Sequence, residues 1–139
     1  MPDRTFTLEL VTPDRVVTSD NEVVSIVVPG AEGYLGIMAD HAPLMTELVV
    51  GEITVRRADG KEMHIASTQG FLEVSGNKAT ILVNTAERAE EIDLERAREA
   101  LKRAEDRLSR AEQEGTDFVR AEAALKRALN RVRVAERTI

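Results

Sequence analysis

The stretches DLERAREALKRAEDRLSRAEQE (93–114) and DFVRAEAALKRALNRVRVAE (117–136) carry one rhythm twice. In the first, Leu94, Ala97, Leu101, Ala104, Leu108 and Ala111 recur at steps of 3, 4, 3, 4 and 3 residues, and Phe118, Ala121, Leu125, Ala128, Val132 and Ala135 repeat those steps in the second. Apolar residues at alternating three- and four-residue steps form a stripe along one side of an α-helix, a heptad seam. The spacing predicts helices over about 93–113 and 117–136, with Gly115 as the break. Asp93 is placed to cap the first, and Thr116 or Asp117 the second. So short a break forces an antiparallel helical hairpin. Each seam alternates a large residue with alanine, which lets the axes approach near the low end of the usual ~8–10 Å. The alternation also keeps the seam weak, because a buried Leu or Phe contributes about 1.5–3 kcal/mol and Ala much less. Both helices lose conformational entropy against that gain. The expectation is a marginal hairpin that opens without unfolding the rest. Straightened into one helix, Asp93 to Ile139 would reach roughly 70 Å at ~1.5 Å per residue.

Upstream of the hairpin the chain obeys other rules. Of the 139 residues, those before 86 carry 12 acidic and 6 basic side chains, the whole net charge of -6, whereas 86–139 balance at 13 each. All four prolines and seven of the eight glycines also precede residue 86. The break divides the chain into 1–85 and 86–139. In the first part Phe6, Leu8 and Leu10 alternate with polar residues, and Thr12-Pro13-Asp14-Arg15 supplies a turn. A β-branched run, Val23–Val28, stops at Pro29-Gly30. Ile53 and Val55 lead through Ala58-Asp59-Gly60-Lys61 into Met63 and Ile65, and Gly70–Val74 leads through Ser75-Gly76-Asn77-Lys78 into Thr80–Val83, two hairpin signals. The fold class is α+β in two parts: an N-terminal antiparallel β-sandwich or barrel, then a C-terminal antiparallel two-helix hairpin.

Composition excludes several chemistries. With no cysteine there is no disulfide framework, thiolate nucleophile or Cys-ligated metal, and two histidines, His41 and His64, do not make a histidine-rich metal site. No apolar run approaches the ~18–20 residues of a spanning helix, and the N-terminus lacks a signal peptide's charged start and apolar middle. That pattern reads as a soluble protein of a reducing compartment. Four aromatics (Phe6, Tyr34, Phe71, Phe118) in an acidic chain argue against a nucleic-acid partner. Ser25, Ser67 and Ser75 lie in strand or turn patterns without a nucleophile elbow, and no Gly-rich run ends in Gly-Lys-Ser/Thr. His64, between Met63 and Ile65, falls on the strand face opposite the apolar residues. The sequence offers no catalytic group.

It does offer a cluster of arginines. Arg96 and Arg103 lie seven apart on the first helix and Arg127 and Arg131 four apart on the second, so each pair shares a face. Around Gly115, Arg103 and Arg127 are at equal distance along the chain, and Arg96 and Arg131 are nearly level. Four guanidinium groups at neighbouring levels can hold a polyphosphate through charge-assisted hydrogen bonds. The plain alternative is that arginines flanking a seam pair with acids and face solvent, and thirteen acids in this segment offer partners.

Four stretches, in register across nearly the whole chain, resemble the epsilon subunit family of the F-type ATP synthase. Val11-Thr12-Pro13 is similar to the end of that family's first strand. Gly33-Tyr34-Leu35-Gly36-Ile37-Met38-Ala39-Asp40-His41-Ala42-Pro43-Leu44 resembles its G-x-L-G-x-x-x-x-H-x-P loop, Gly70-Phe71-Leu72-Glu73-Val74 its G-F-L-E-V strand, and Ile92-Asp93-Leu94-Glu95-Arg96-Ala97 its nucleotide-associated I/L-D-x-x-R-A motif. The resemblance implies a non-catalytic rotor component of the central stalk. In that likeness the β domain binds the gamma subunit and the ring of c subunits, and the hairpin either folds on the β domain or extends up gamma between the alpha and beta subunits. The extended form inhibits ATP hydrolysis, and ATP bound to the compact form favours its release. Carried over residue by residue, Glu87, Ile92, Asp93, Arg96, Ala97, Arg103, Arg127 and Arg131 match the family's ATP-contacting positions, with Glu87, Asp93 and Ala97 on the adenosine side and the arginines on the phosphates. ATP is then a regulatory ligand, with no catalytic cofactor and no metal.

The same likeness puts Tyr34 and His41 in a partner-docking loop. The plain reading makes His41 the cap of a turn locked by Pro43. The sequence departs from the family here, with Ala39-Asp40 where Pro-Gly is common and Tyr34 where a small or acidic residue is common. Without a transit peptide, the implied location is the cytoplasmic face of a bacterial plasma membrane (or its plastid counterpart), with membrane contact only through the complex. Two other readings stand beside this one: a sandwich-plus-hairpin interaction module that binds no nucleotide, and a free-standing nucleotide sensor. Co-purification with gamma separates the first reading from both.

Overall fold

The computed structural model describes residues 4–114 and 117–138. They form two compact units, the first ending at Glu87 and the second beginning at Arg88.

The first unit is a β-sandwich built from β1 (Phe6–Val11), β2 (Val16–Gly30), β3 (Gly33–Met38), β4 (Leu44–Leu48), β5 (Gly51–Arg57), β6 (Glu62–Ser67), β7 (Gly70–Ser75), β8 (Lys78–Val83) and the short β9 (Ala86–Arg88). Strand order is β1-β8-β7-β4-β2-β5-β6-β9, with β3 on β2 and a further β1–β2 pairing. β1 and β8 are parallel and the other registers described are antiparallel. The fifteen-residue β2 joins the two layers: its first half pairs with β1 and its second half with β3 and β5. A bulge at Val24 makes this possible. Val23 opposes Arg57 and Ser25 opposes Arg56, so Val24 is the extra residue; Val23 joins the core between the layers, and Val24 is buried outside that cluster. An inserted residue bends the strand and resets its alternation. The core between the layers is aliphatic: Leu8, Leu10, Ile26, Val28, Ile37, Leu48, Ile53, Ile65, Leu72 and Ile81 are essentially without exposure.

The expected sandwich and turns are present. Thr12 N–H donates to Arg15 O at 2.9 Å, and Gly60 (φ +85°) closes the β5–β6 hairpin. Gly76 and Asn77, at φ 58° and 57°, form the two-residue β7–β8 turn, and two positive φ values are the primed geometry whose twist matches paired strands. Three features correct the sequence reading. β2 begins at Val16 and does not stop at Pro29: Pro29 stays in register opposite Tyr34, and its carbonyl accepts from Val49 N–H. Gly30 permits the tight return, since a Cβ there would lie 2.6 Å from Leu35 Cδ2 and 2.8 Å from Gly33 O. The stretch from Gly33 read as a loop is strand as far as Met38. His64 is half-covered rather than solvent-facing, with Nδ1 3.7 Å from Glu52 and Nε2 3.5 Å from Glu62.

Arg57 is tied across β2. Its Nε lies 2.5 Å from Asp20 Oδ2, its Nη1 2.5 Å from Asp59 Oδ2, and its Nη2 3.6 Å from Glu22. Donation from Arg57 holds the Asp20 carboxyl below the usual carboxylate range, against the opposing effect of burial. A folded pKa below the unfolded value near about 3.9 contributes stability above that pH, and the contribution is lost as pH falls through the folded pKa. Urea titrations should therefore show Asp20→Asn less stable than wild type at neutral pH, with the gap closing in acid. A gap independent of pH would contradict this.

The second unit opens with a one-turn 3-10 helix, Ala89–Glu91, followed by α1 (Leu94–Glu114) and α2 (Phe118–Ala135), and another 3-10 turn, Glu136–Thr138. The first 3-10 turn packs against α2 and against the turn that ends it, so the start of α1 is level with the end of α2 and the helices are antiparallel. Asp93 Oδ1 accepts from Arg96 N–H and Asp117 Oδ1 from Arg120 N–H, each at 3.2 Å, which makes both acids N-caps. Gly115 and Thr116 lie outside the described residues. The seam is an alanine seam. Ala97, Ala104, Ala111, Ala121, Val132 and Ala135 are buried, whereas Leu94, Leu101, Leu108 and Leu125 are half-buried. Phe118, expected in the seam, is 41% exposed. It sits in the first turn of α2, where a two-helix pair has least to cover a large side chain. Val134, outside the expected seam, is fully buried on the end of α2 against which the first 3-10 turn packs.

Candidate functional site

Each arginine of the predicted cluster immediately precedes a seam position: Arg96 before Ala97, Arg103 before Ala104, Arg127 before Ala128, Arg131 before Val132. An antiparallel pair of helices is related by a twofold axis perpendicular to the plane of its two axes, and that rotation keeps each broad face on its own side. Residues that precede seam positions on both helices therefore flank the same face. Arg96, Arg103 and Arg127 are exposed, and their guanidinium groups have no ion-pair partner among the described residues. Arg131 is half-buried and engaged within the protein. Of the plain reading, the solvent-facing part holds at the first three, and the pairing with nearby acids is absent among the described residues.

The other predicted positions are placed differently. Asp93 is exposed and spends one carboxylate oxygen as the cap of α1. Ile92 and Ala97 are 8% and 1% exposed, so both side chains are buried. Glu87 is half-buried in β9, in the first unit, and is itself engaged. Among the described residues no group of His, Asp or Glu is arranged to hold a metal ion.

In the first unit, Tyr34 stands on β3, 61% exposed as a residue, and its hydroxyl accepts from Glu52 N–H at 3.0 Å. The hydroxyl lies over Gly51, where a Cβ would be 2.7 Å from it and 2.5 Å from Pro29 Cβ. His41 is exposed in the turn between β3 and β4. Its N–H donates to Met38 O at 3.3 Å, and its Nδ1 is 2.7 Å from Ala42 O.

Sequence reasoning missed an apolar outer surface on β4, β7 and β8. Met45, Phe71 and Leu82 are each more than half exposed. Phe71 stands opposite both Leu82 and Glu47. One cleft of about 510 Å³ is lined by Val11, Pro13, Glu47, Phe71 and Leu82 among others, and a second of about 490 Å³ by Tyr34, Leu35, Met45 and Glu47 among others. The signal was available: Leu72 and Val74 alternate inward, which obliges Phe71 to point out.

Residues 5–89 match the family described as ATP synthase, Delta/Epsilon chain, beta-sandwich domain, and residues 90–136 its long alpha-helix domain. The ATP synthase epsilon chain of Pelotomaculum thermopropionicum is 49% identical over 110 residues, 79% of this chain and 81% of that relative. That of Carboxydothermus hydrogenoformans is 53% identical over 103 residues, 74% of this chain and 75% of the relative. Among solved structures, a chain of the Euglena gracilis mitochondrial ATP synthase (OSCP/F1/c-ring in rotational state 1) superimposes with TM-score 0.74 at 27% identity, covering 88% of this chain and 76% of that one. A chain of the Tetrahymena thermophila mitochondrial central stalk/c-ring shares the fold at TM-score 0.57 and 18% identity, over 99% of this chain and 98% of that one.

Proposed function

From the premise that this chain belongs to the Delta/Epsilon chain family of ATP synthase, as a non-catalytic epsilon subunit, we propose that its sandwich docks it to the gamma subunit and the c ring. Its hairpin then acts as an ATP-responsive brake on ATP hydrolysis. Membership in the complex follows from the family. The particular contacts, the brake and the nucleotide are our reading.

The observation that carries it is the row of three exposed guanidinium groups, without an ion-pair partner among the described residues, on one face of a hairpin with buried seam alanines. Cations held on a weak scaffold, in a segment with thirteen acids available, suit an anionic ligand that arrives from outside. A bound polyphosphate would cross-link α1 to α2 through Arg96 and Arg103 on one helix and Arg127 and Arg131 on the other. The compact form would thereby gain stability only when ligand is present. Opened, the same arginines become available to the alpha and beta subunits, which makes the hairpin a two-state element. The location that follows is the face of the membrane from which the catalytic head projects, the cytoplasmic face in a bacterium.

For the sandwich, Tyr34, His41 and the exposed Met45–Phe71–Leu82 surface are the candidate contacts. An outward Phe71 beside Leu82 is the type of patch that marks a protein interface. Co-purification of the full chain with gamma and the c ring tests this. Phe71→Asp should reduce recovery at least about tenfold, the usual scale for charging a buried interface anchor, and Tyr34→Asp should reduce it less. Unchanged recovery for both would remove this surface from the docking account.

A further inference from the structure

The turn between β3 and β4 holds a non-glycine residue in the left-handed region: Asp40 has φ 61°. That conformation disfavours most side chains, and it persists where surroundings enforce it. What enforces it comes from the opposite end of the unit's sequence. Asp40 N–H donates to Asn77 Oδ1 at 2.8 Å, and the Asp40 carboxylate pairs with Arg4. Asn77 belongs to the β7–β8 turn, thirty-seven residues away. Its Nδ2 donates to Thr5 O at 3.0 Å, and its backbone carbonyl separately accepts from Thr7 N–H at 3.2 Å. One amide side chain thus joins the strand that begins the sandwich to the turn that carries His41.

The chemistry of the amide is specific. Its oxygen meets a donor and its nitrogen meets an acceptor, so a flipped amide would oppose two donors at one end and two acceptors at the other. Its own φ of 57° is tolerated by Asn and Gly and by few others. The Arg4–Asp40 pair is largely exposed and contributes little. The weight falls on Asn77.

We propose that Asn77 is a positioning residue: through Asp40 N–H it holds the 39–43 turn, and with it His41, in the conformation presented to the rotor partners. The assignment of the turn as a docking element rests on the function proposed above. Asn77 sets how much of the population is competent to dock, and a ligand's apparent affinity falls in proportion when that fraction falls.

The test uses Asn77→Gly, which keeps the left-handed turn and removes the side chain, in the full chain. Hydrogen exchange of the Asp40 and His41 amides should speed by about tenfold, the scale of a single lost hydrogen bond. Affinity for the gamma–c-ring subcomplex should fall about fivefold. Adding Asp40→Gly, which removes the side-chain penalty of the left-handed φ although glycine orders less readily, should restore part of the affinity. General weakening of the sandwich would not be repaired at position 40. Asn77→Asp, which keeps the acceptor for Asp40, should leave the Asp40 amide slow. Unchanged exchange at Asp40 and His41 in Asn77→Gly would overturn the proposal, as would a loss of affinity that Asp40→Gly does not repair. Faster exchange with unchanged affinity would support the latch and overturn the docking role of the turn.

Discussion

Replacing Arg127 and Arg131 together by alanine should weaken the proposed ATP binding at least about tenfold. A charge-assisted hydrogen bond contributes about 1.5–3 kcal/mol, and a tenfold change in affinity is about 1.4 kcal/mol. Loss of a single phosphate contact therefore meets the threshold, even with Arg131 already engaged in the free protein. Lys126→Ala is the control. It removes a positive charge from the same helix, but Lys126 follows Leu125 on the outer side of the seam and pairs with Glu122 at 3.8 Å. If general positive charge were responsible, that variant would weaken binding as Arg127→Ala does. Equilibrium dialysis with ATP distinguishes the two, and full affinity in the double variant would leave the arginines as a solvated or partner-facing surface.

The second large effect lies in the seam. Ala97, a seam position of α1, is 1% exposed. Overpacking of a close-packed contact costs about 1–3 kcal/mol. Ala97→Leu should therefore raise the open fraction of the hairpin by roughly 5- to 150-fold. Amide exchange in α1 and α2 would speed accordingly while β2, β5 and β7 keep their rates, because the strands and the helices belong to different compact units. In the assembled enzyme the same variant should inhibit ATP hydrolysis more strongly, since it favours the extended form. Acceleration of strand and helix amides together would mean one cooperative unit and no independent brake.

The hairpin was legible because its signal is local. A 3–4 rhythm fixes the helices, and Asp93 and Asp117 fix their starts, all within a few residues of chain. Burial along the seam was less legible. The sequence ranks leucine above alanine as core, but a pair of helices approaching on alanines seals the small residues and leaves Leu101 and Leu108 half outside. In the sandwich, turns with Gly and Asn were readable from residue type. The reach of β2 was not, because the bulge at Val24 depends on Arg56 and Arg57, far along the chain, and Pro29 stays in register through its pairing with Tyr34 where residue type alone reads as a stop. The placing of Arg96, Arg103, Arg127 and Arg131 beside seam positions followed from helical spacing alone. Phe71 and Leu82 required the inward partner of each strand to be known first, and the Asp40–Asn77 latch spans thirty-seven residues with no periodicity to announce it.

The central claim is that ATP stabilises the compact hairpin and leaves the sandwich alone, and hydrogen exchange of the full chain with and without ATP tests it most directly. A ligand at a hundred times its dissociation constant stabilises the form that binds it by about 2.7 kcal/mol, or roughly a hundredfold in the opening equilibrium. Amides of α1 and α2 should slow by about that factor at saturating ATP, with β-strand amides unchanged. Helix amides that exchange at the same rate in millimolar ATP as without it would contradict the account.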